Sequence, residues 1–189
     1  MTSRTTQDYA RTVSEMFQCI AGDLSMLSDS ELEVSGITVE ERTDRPAADG
    51  DIHISFRFAL DDGGVLRHGT LLLPISASIS LGAHLMMAAE SQVEDLQREQ
   101  LIDGPLREAI LEVGAFVTGA LQTAMQSVGS TCRRVVFEGC QGVPAAVPPV
   151  LAHDDGDPLV VSRAALRVGR SPAKEAILVL PDGDFLVAA

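Results

Sequence analysis

Residues 103–128, DGPLREAILEVGAFVTGALQTAMQSV, predict a long amphipathic helix around which the rest of the chain is arranged. Apolar side chains recur in it every three or four residues, which is the spacing of one buried helical face. Asp103 or Gly104 suits the N-terminal cap, Pro105 suits the first turn, and Gly129 suits the end of the helix. The apolar positions are Leu106, Ile110, Val113, Val117, Ala120, Ala124 and Val128.

A second stripe lies almost opposite the apolar one, because each residue turns a helix by about 100°. Small side chains at Ala115 and Gly119 leave a gap where another surface can approach the backbone, with Glu112 at the rim. The alternative is that a second helix packs against the small residues and that the glutamates are merely solvated. The stripe consists of Glu108, Glu112, Ala115, Gly119, Gln122 and Gln126.

Length and composition predict one domain spanning residues 1–189, with a single core or a core built from two pseudo-repeated halves. Residue patterns predict an N-terminal helix over 5–22 and a C-terminal β extension over 157–188. The chain is 46% hydrophobic, which is enough for one ordinary core. Its net charge of −13 disfavours binding to nucleic acid or to an anionic membrane surface. No apolar run reaches the roughly 20 residues of a membrane span. The polar N-terminal stretch lacks the apolar core of a signal peptide, so we expect a cytoplasmic protein.

The chemistry-bearing residues predict neither a metal site nor a cofactor site. Cys19, Cys132 and Cys140 are scattered, so we expect free thiols that are buried or half-buried. His53 and His68 could approach each other across a hairpin, but without a third ligand at a suitable spacing they would make a poor metal site. The chain contains no phosphate-binding glycine loop, GxSxG motif or HExxH motif.

The order of the predicted elements indicates an α+β fold. A mixed or antiparallel sheet would be packed by the N-terminal helix and by a pair of long helices. Alternation over 52–60 predicts a strand with one covered face and one wet face. Further strands are expected over 32–42, with a bulge at Gly36, and over 65–73, 132–138, 159–168, 176–180 and 184–187.

Two of these regions, 52–73 and the C-terminal hairpin, are expected to leave strand edges free. Unpaired edges allow a homodimer to form by strand pairing.

Residues 112–120, EVGAFVTGA, resemble the motif helix of the CheC/CheX chemotaxis phosphatases. That helix reads as an acid or Ser, then Glu four residues on, then Asn three residues further, followed by small residues. Residues 69–76, GTLLLPIS, resemble the segment that precedes the next helix in this family and in the related flagellar switch proteins. The likeness extends over residues 6–147.

The resemblance implies a protein that docks on a phosphorylated CheY-type response regulator and hydrolyses its aspartyl phosphate. In the family, the Glu pairs with a cation near the acyl phosphate, and the Asn amide holds a water in line with phosphorus. Such hydrolysis depends mainly on positioning and electrostatics. When the family motif is aligned with this sequence, Glu112 occupies the position of the family Glu. Glu108 occupies the position of the acid or Ser. Ala115 and Gly119 complete the partner-binding stripe.

The family's Asn position is occupied here by Ala115, whose methyl group cannot orient water. The family proline, expected about 22 residues after the Asn, is also displaced, because the first proline downstream is Pro144. We therefore expect a degenerate phosphatase with weak or no activity. Rescue by the amide of Gln122 is not expected, since it lies about 10 Å further along the helix. The alternative is a non-catalytic assembly module of the flagellar-switch type, in which Glu112 is dispensable.

Overall fold

The computed structural model describes residues 6–28, 31–154 and 156–186. Thr5 and residues 187–188, which were included in the predicted terminal elements, lie outside these ranges. The elements are α1 (Thr6–Ser28), β1 (Leu32–Arg42), β2 (His53–Asp61), β3 (Leu66–Pro74), α2 (Ile75–Leu85), α3 (Glu90–Glu99), α4 (Gly104–Ser127), β4 (Arg134–Val143), β5 (Leu159–Val168), β6 (Lys174–Pro181) and a 3₁₀ turn (Asp184–Leu186).

The strands form a six-stranded sheet in the order β1-β5-β6-β3-β2-β4. Every neighbouring pair is antiparallel, which confirms the α+β prediction. The segment predicted as a C-terminal extension supplies β5 and β6, which lie inside the sheet between β1 and β3. The prediction that residues 52–73 and the C-terminal hairpin leave strand edges free was therefore wrong. Both flanks of β2, β3, β5 and β6 are paired, and the two edges belong to β1 and β4.

The helices cover one face of the sheet, where α1 packs against α4 and α4 packs against α2. The predicted end of α1 at Gly22 was wrong, because the helix continues to Ser28 and buries Leu24. One helix of the predicted long pair, the one that precedes α4, is instead two shorter helices, α2 and α3. Helix α2 ends at Leu85, and the chain turns through Met87, with a φ of 59°, before α3 begins.

The opposite face of the sheet is also buried, which contradicts the expectation of a wet face. His53 and Ser55 of β2 are buried there, because the irregular segments 43–52, 144–154 and 156–158 lie across the sheet. Apolar side chains of β3, β5 and β6 form a second core with Ala48 and Leu151 of these segments. This second core comprises Ala48, Leu72, Val143, Leu151, Leu159, Val161, Ile177 and Val179.

Two local predictions are confirmed and one is corrected. The β1–β5 register shifts between Ser35 and Thr38 around Gly36, which has a φ of 63°, as expected of a bulge. The hairpin turn between β2 and β3 is closed by the hydrogen bond that Asp62 N donates to Val65 O at 3.0 Å. The final predicted strand is instead the 3₁₀ turn Asp184–Leu186, whose Phe185 is buried in the larger core.

Candidate functional site

Helix α4 forms largely as its sequence predicts. Asp103 stands at the N-cap in an extended conformation, and Pro105 occupies the first turn. At the other end, Gly129 adopts a φ of 73° and donates its N–H to Gln126 O at 3.1 Å. The apolar stripe is buried against α1, α2 and the sheet. One side of the helix is therefore anchored, and its other side faces solvent.

The solvent-facing side carries the four residues singled out by the family resemblance. Glu108, Glu112, Ala115 and Gly119 are all exposed. A Cβ built at Gly119 would meet no atom within 4 Å, so nothing in the described residues covers this position. The structure thus brings the two carboxylates and the small-residue gap onto one open face. We call this set, Glu108, Glu112, Ala115 and Gly119, the α4 outer face.

Gly114 lies on another side of α4, and sequence reasoning did not identify its role. A Cβ at this position would come within 2.3 Å of the Phe137 ring of β4. The absence of a side chain therefore lets α4 approach the sheet edge closely. No spacing in the helix alone could have indicated this contact, because the ring comes from a strand far along the chain.

Gln122 does not belong to the open face on which the periodicity placed it. It is half-buried, and its Oε1 accepts a hydrogen bond from Val135 N of β4 at 2.8 Å. Its Nε2 is buried without a hydrogen-bond partner. The amide is therefore committed to the edge of the sheet and is not available near Ala115. Gln126, one turn further on, is exposed as expected.

An exposed aromatic ring stands beside the α4 outer face, and sequence reasoning missed it as well. Phe116 follows Glu112 by one helical turn and is 38% exposed. The signal available in the sequence was a large apolar residue outside the apolar stripe. Large exposed apolar side chains next to an open helix face are typical of protein-binding surfaces.

The three thiols are free, as predicted, and they do not form a reactive centre. Burial is the main cause of a raised pKa at Cys19, Cys132 and Cys140. At Cys19 the neighbouring carboxylates of Glu15 and Asp23 raise the pKa further. Because the thiolate is the nucleophilic form, these cysteines are poorly suited to nucleophilic catalysis.

The two candidate histidines lie apart in the sheet. His53 pairs in register with Pro74, whereas His68 pairs with Ala59 and its Nδ1 lies 3.0 Å from Glu138 Oε2. The expectation that they could approach each other was wrong, because they occupy different ends of the β2–β3 ladder. Among the described residues, no group of three or more His, Cys, Asp or Glu side chains could hold a metal ion. None of the described helices is both long and apolar enough to cross a membrane.

No protein-family model matches the sequence, and no curated protein matches it. Solved structures match nearly the whole chain. Thermotoga maritima FliY matches with a TM-score of 0.72 at 12% identity, over 98% of this chain and 94% of that one. A chain of the FliG–FliM complex from H. pylori matches with a TM-score of 0.64 at 10% identity, over 95% and 94%. A CheC-like superfamily protein from Shewanella sp. PV-4 matches with a TM-score of 0.58 at 10% identity, over 92% and 98%.

These matches confirm, at the level of the fold, the resemblance inferred from residues 112–120. The chain has the fold found in CheC-like chemotaxis proteins and in flagellar switch proteins.

Proposed function

We propose that this chain, whose fold is that of CheC-like and flagellar switch proteins, docks on a CheY-type response regulator and has weak or no phosphatase activity. The observation that carries the proposal is the open α4 outer face. Glu112 stands there in solvent beside the Ala115 and Gly119 gap. A regulator can reach the helix backbone at this gap, and Glu112 can pair with a cationic side chain of the regulator.

The expected weakness of catalysis follows from the groups on this face. Hydrolysis of an acyl phosphate by water needs an amide or similar group that holds the water in line with phosphorus. Ala115 has no such group, and the amide of Gln122 is bonded to Val135 N. Losing a single positioning group of this kind costs on the order of a hundredfold or more in rate. Docking does not require that group.

The test uses the CheY-type regulators of the same organism, each purified and phosphorylated with a small-molecule phosphodonor. Decay of the phosphorylated regulator is followed with and without the chain, and binding is measured in parallel. We expect a regulator that binds without a marked acceleration of decay. Strong acceleration that Glu112→Ala abolishes would show an active phosphatase and overturn the proposed weak activity. Failure of every regulator to bind would overturn the docking proposal.

A gain-of-function variant tests the same face by adding the amide group that Ala115 lacks. Ala115→Asn restores an amide at an exposed position, where the larger side chain fits without displacing core residues. We expect the variant to accelerate phosphoryl decay by up to about a hundredfold if docking presents the phosphoryl group to this position. Ala115→Leu is the matched control, because it adds similar bulk without an amide and is expected to leave the decay rate at its basal level.

A second candidate is a non-catalytic assembly module of the flagellar-switch type. It is favoured by the higher TM-scores of FliY and of the FliG–FliM chain, 0.72 and 0.64, against 0.58 for the CheC-like protein. In that complex, FliM associates with FliG. An assembly role predicts binding that is insensitive to phosphorylation and to Glu112→Ala, whereas the docking proposal predicts that Glu112→Ala weakens binding.

A further inference from the structure

Helices α1 and α4 pack side by side, and hydrogen bonds at the end of α4 show that they run in opposite directions. Ser127 Oγ near the end of α4 donates a hydrogen bond to Glu15 Oε1 of α1 at 2.9 Å. Beyond this point, Thr12 Oγ1 donates to Leu186 O and Ser130 Oγ donates to Phe185 O, so the start of α1 lies beside the end of α4. The hydrogen bond between Ser127 and Glu15 therefore fixes the register of the two helices on their outer side.

From this register, two exposed apolar side chains fall at the same level. Met26 lies 11 residues beyond Glu15, and Phe116 lies 11 residues before Ser127. Eleven residues make about three turns and a rise of about 16 Å, so each side chain returns to the side of its helix that faces the other helix. Met26 is 79% exposed and Phe116 is 38% exposed. We call the outer side of the helix pair between these levels the α1–α4 seam.

The seam carries a glycine on each helix between its two ends. Gly22 of α1 and Gly119 of α4 lie between the level of the Glu15–Ser127 hydrogen bond and the level of Met26 and Phe116. A Cβ at either glycine would meet no atom within 4 Å. One position on each helix is therefore uncovered by the described residues, between the hydrogen-bonded end of the seam and its apolar end.

The charge along the seam has a single sign. Between the two levels, residues 15–26 of α1 and 116–127 of α4 contain no Lys, Arg or His, and they contain two carboxylates, Glu15 and Asp23. Glu112 and Glu108 follow on α4, about one and two turns beyond Phe116. Some exposed carboxylates elsewhere in the chain are paired with bases, as Glu33 is with Arg167 and Asp95 is with Arg98. A seam of this kind complements a cationic surface and repels an anionic one.

We infer that the α1–α4 seam binds a patch of the partner regulator in which a lysine or arginine stands beside an exposed apolar side chain. The apolar side chain contacts Met26 and Phe116, and the cation pairs with Glu112. This inference rests on the proposed docking function. It adds that contacts of Met26 and Phe116 supply much of the binding affinity. A few well-packed side chains near the centre of an interface, often aromatic, supply most of the affinity in many protein complexes. The inference also extends the interface from α4 onto α1, which the family motif on α4 does not include.

The test measures regulator affinity for Phe116→Ala and Met26→Ala by calorimetric titration. Leu101→Ala and Met87→Ala are matched controls, because both residues are exposed apolar side chains, 58% and 93% exposed, away from the seam. We expect the seam variants to weaken binding by about tenfold or more and the controls by less than about twofold. The affinity of the unaltered chain should fall as salt is raised from low to moderate concentration, because the cationic contact is exposed.

The possible results separate this inference from the proposal on which it rests. If the regulator binds and the seam variants equal their controls, the inference is overturned and docking through another part of α4 survives. If weakening is confined to Phe116→Ala, the extension onto α1 is overturned. If no regulator binds, both the inference and the proposed function are overturned. Far-UV circular dichroism and urea unfolding of each variant distinguish lost contacts from lost folding.

Discussion

At the scale of single residues, two glycines of α4 have opposite environments although they are close in sequence. Gly114 faces the Phe137 ring, and a Cβ there would come within 2.3 Å of it. Gly119 faces solvent, and a Cβ there would meet no atom within 4 Å. The helix needs glycine at position 114 to approach β4. At position 119 no atom of the described residues requires it, which is consistent with a contact made by another molecule.

Replacing each glycine by alanine should therefore change stability in opposite directions. Gly114→Ala forces the helix away from the Phe137 ring, and we expect it to lower the free energy of unfolding by about 1–3 kcal/mol. Gly119→Ala adds only helix propensity, and we expect it to raise the free energy of unfolding by up to about 1 kcal/mol. Urea titration of both variants measures the two changes. Equal effects at the two positions would contradict the environments described here.

The residue pattern predicted the exposed positions of α4 well, because helical periodicity alone decides which side faces a core. It identified Glu108, Glu112, Ala115 and Gly119 as an outer stripe, and all four are exposed. It failed at Gln122 and Gly114, whose environments are set by Val135 and Phe137 of β4. Contacts of this kind depend on how the helix lies against a strand from another part of the sequence, which periodicity does not contain.

At the scale of elements, α4 protects one edge of the sheet. Strand β4 is an edge strand, so one row of its backbone groups has no strand partner. Gln122 of α4 accepts the N–H of Val135 at 2.8 Å, which satisfies one of these groups. The other edge, β1, carries the Gly36 bulge and a Glu33–Arg167 ion pair. Bulges and charged side chains are common devices that discourage pairing at a sheet edge.

Removing the Gln122 side chain should open the β4 edge. We expect Gln122→Ala to lower the free energy of unfolding by about 1 kcal/mol, because Val135 N loses its acceptor. Amide hydrogen exchange at Val135 should become faster. Gln126→Ala, in the same helix and exposed, is the matched control and should change neither quantity. Unaltered exchange at Val135 in Gln122→Ala would show that the hydrogen bond does not hold this edge.

Strand order is the part of the fold that the sequence could not supply. The existence of β5 and β6 was predicted, yet they were taken for a terminal extension and are interior strands. Strand β1 pairs with β5, about 125 residues further along the chain, through contacts such as Leu32 with Val168. Short apolar strands are compatible with many neighbours, so local pattern cannot select between an edge and an interior position.

At the scale of the whole molecule, the sheet is covered on both faces but by different means. Helices cover one face, and the irregular segments 43–52 and 144–154 cover the other. The two segments are joined by the hydrogen bond that Ala146 N donates to Ala48 O at 2.9 Å. Lys174 of β6 forms an ion pair with Asp51, which ties the first segment to the sheet. This cover leaves α4, and not the opposite sheet face, as the accessible surface around the motif.

The Asp51–Lys174 pair has a predictable pH dependence. The hydrogen bond from Lys174, followed by its charge, lowers the pKa of Asp51. A carboxyl group with a lowered pKa stabilises the fold above its ordinary pKa of about 4, and this contribution is lost as pH falls below that value. Because both groups are partly exposed, we expect Lys174→Met to cost less than about 1 kcal/mol at neutral pH.

Two measurements check this expectation. The pKa of Asp51, followed by NMR titration, should rise toward the ordinary aspartate value in Lys174→Met. The difference in unfolding free energy between this variant and the unaltered chain should disappear in acid. A pKa of Asp51 that is the same in both proteins would show that Lys174 does not stabilise the carboxylate.

A steric block on the α4 outer face tests whether a CheY-type regulator docks there. Gly119→Tyr places a ring at an exposed position of this face, where a Cβ meets no atom within 4 Å. The measurement is the Kd of the regulator for Gly119→Tyr and for Ser91→Tyr, a control at an exposed position of α3. We predict a loss of about tenfold or more for Gly119→Tyr and less than about twofold for the control. Unchanged affinity in a folded Gly119→Tyr would contradict the account.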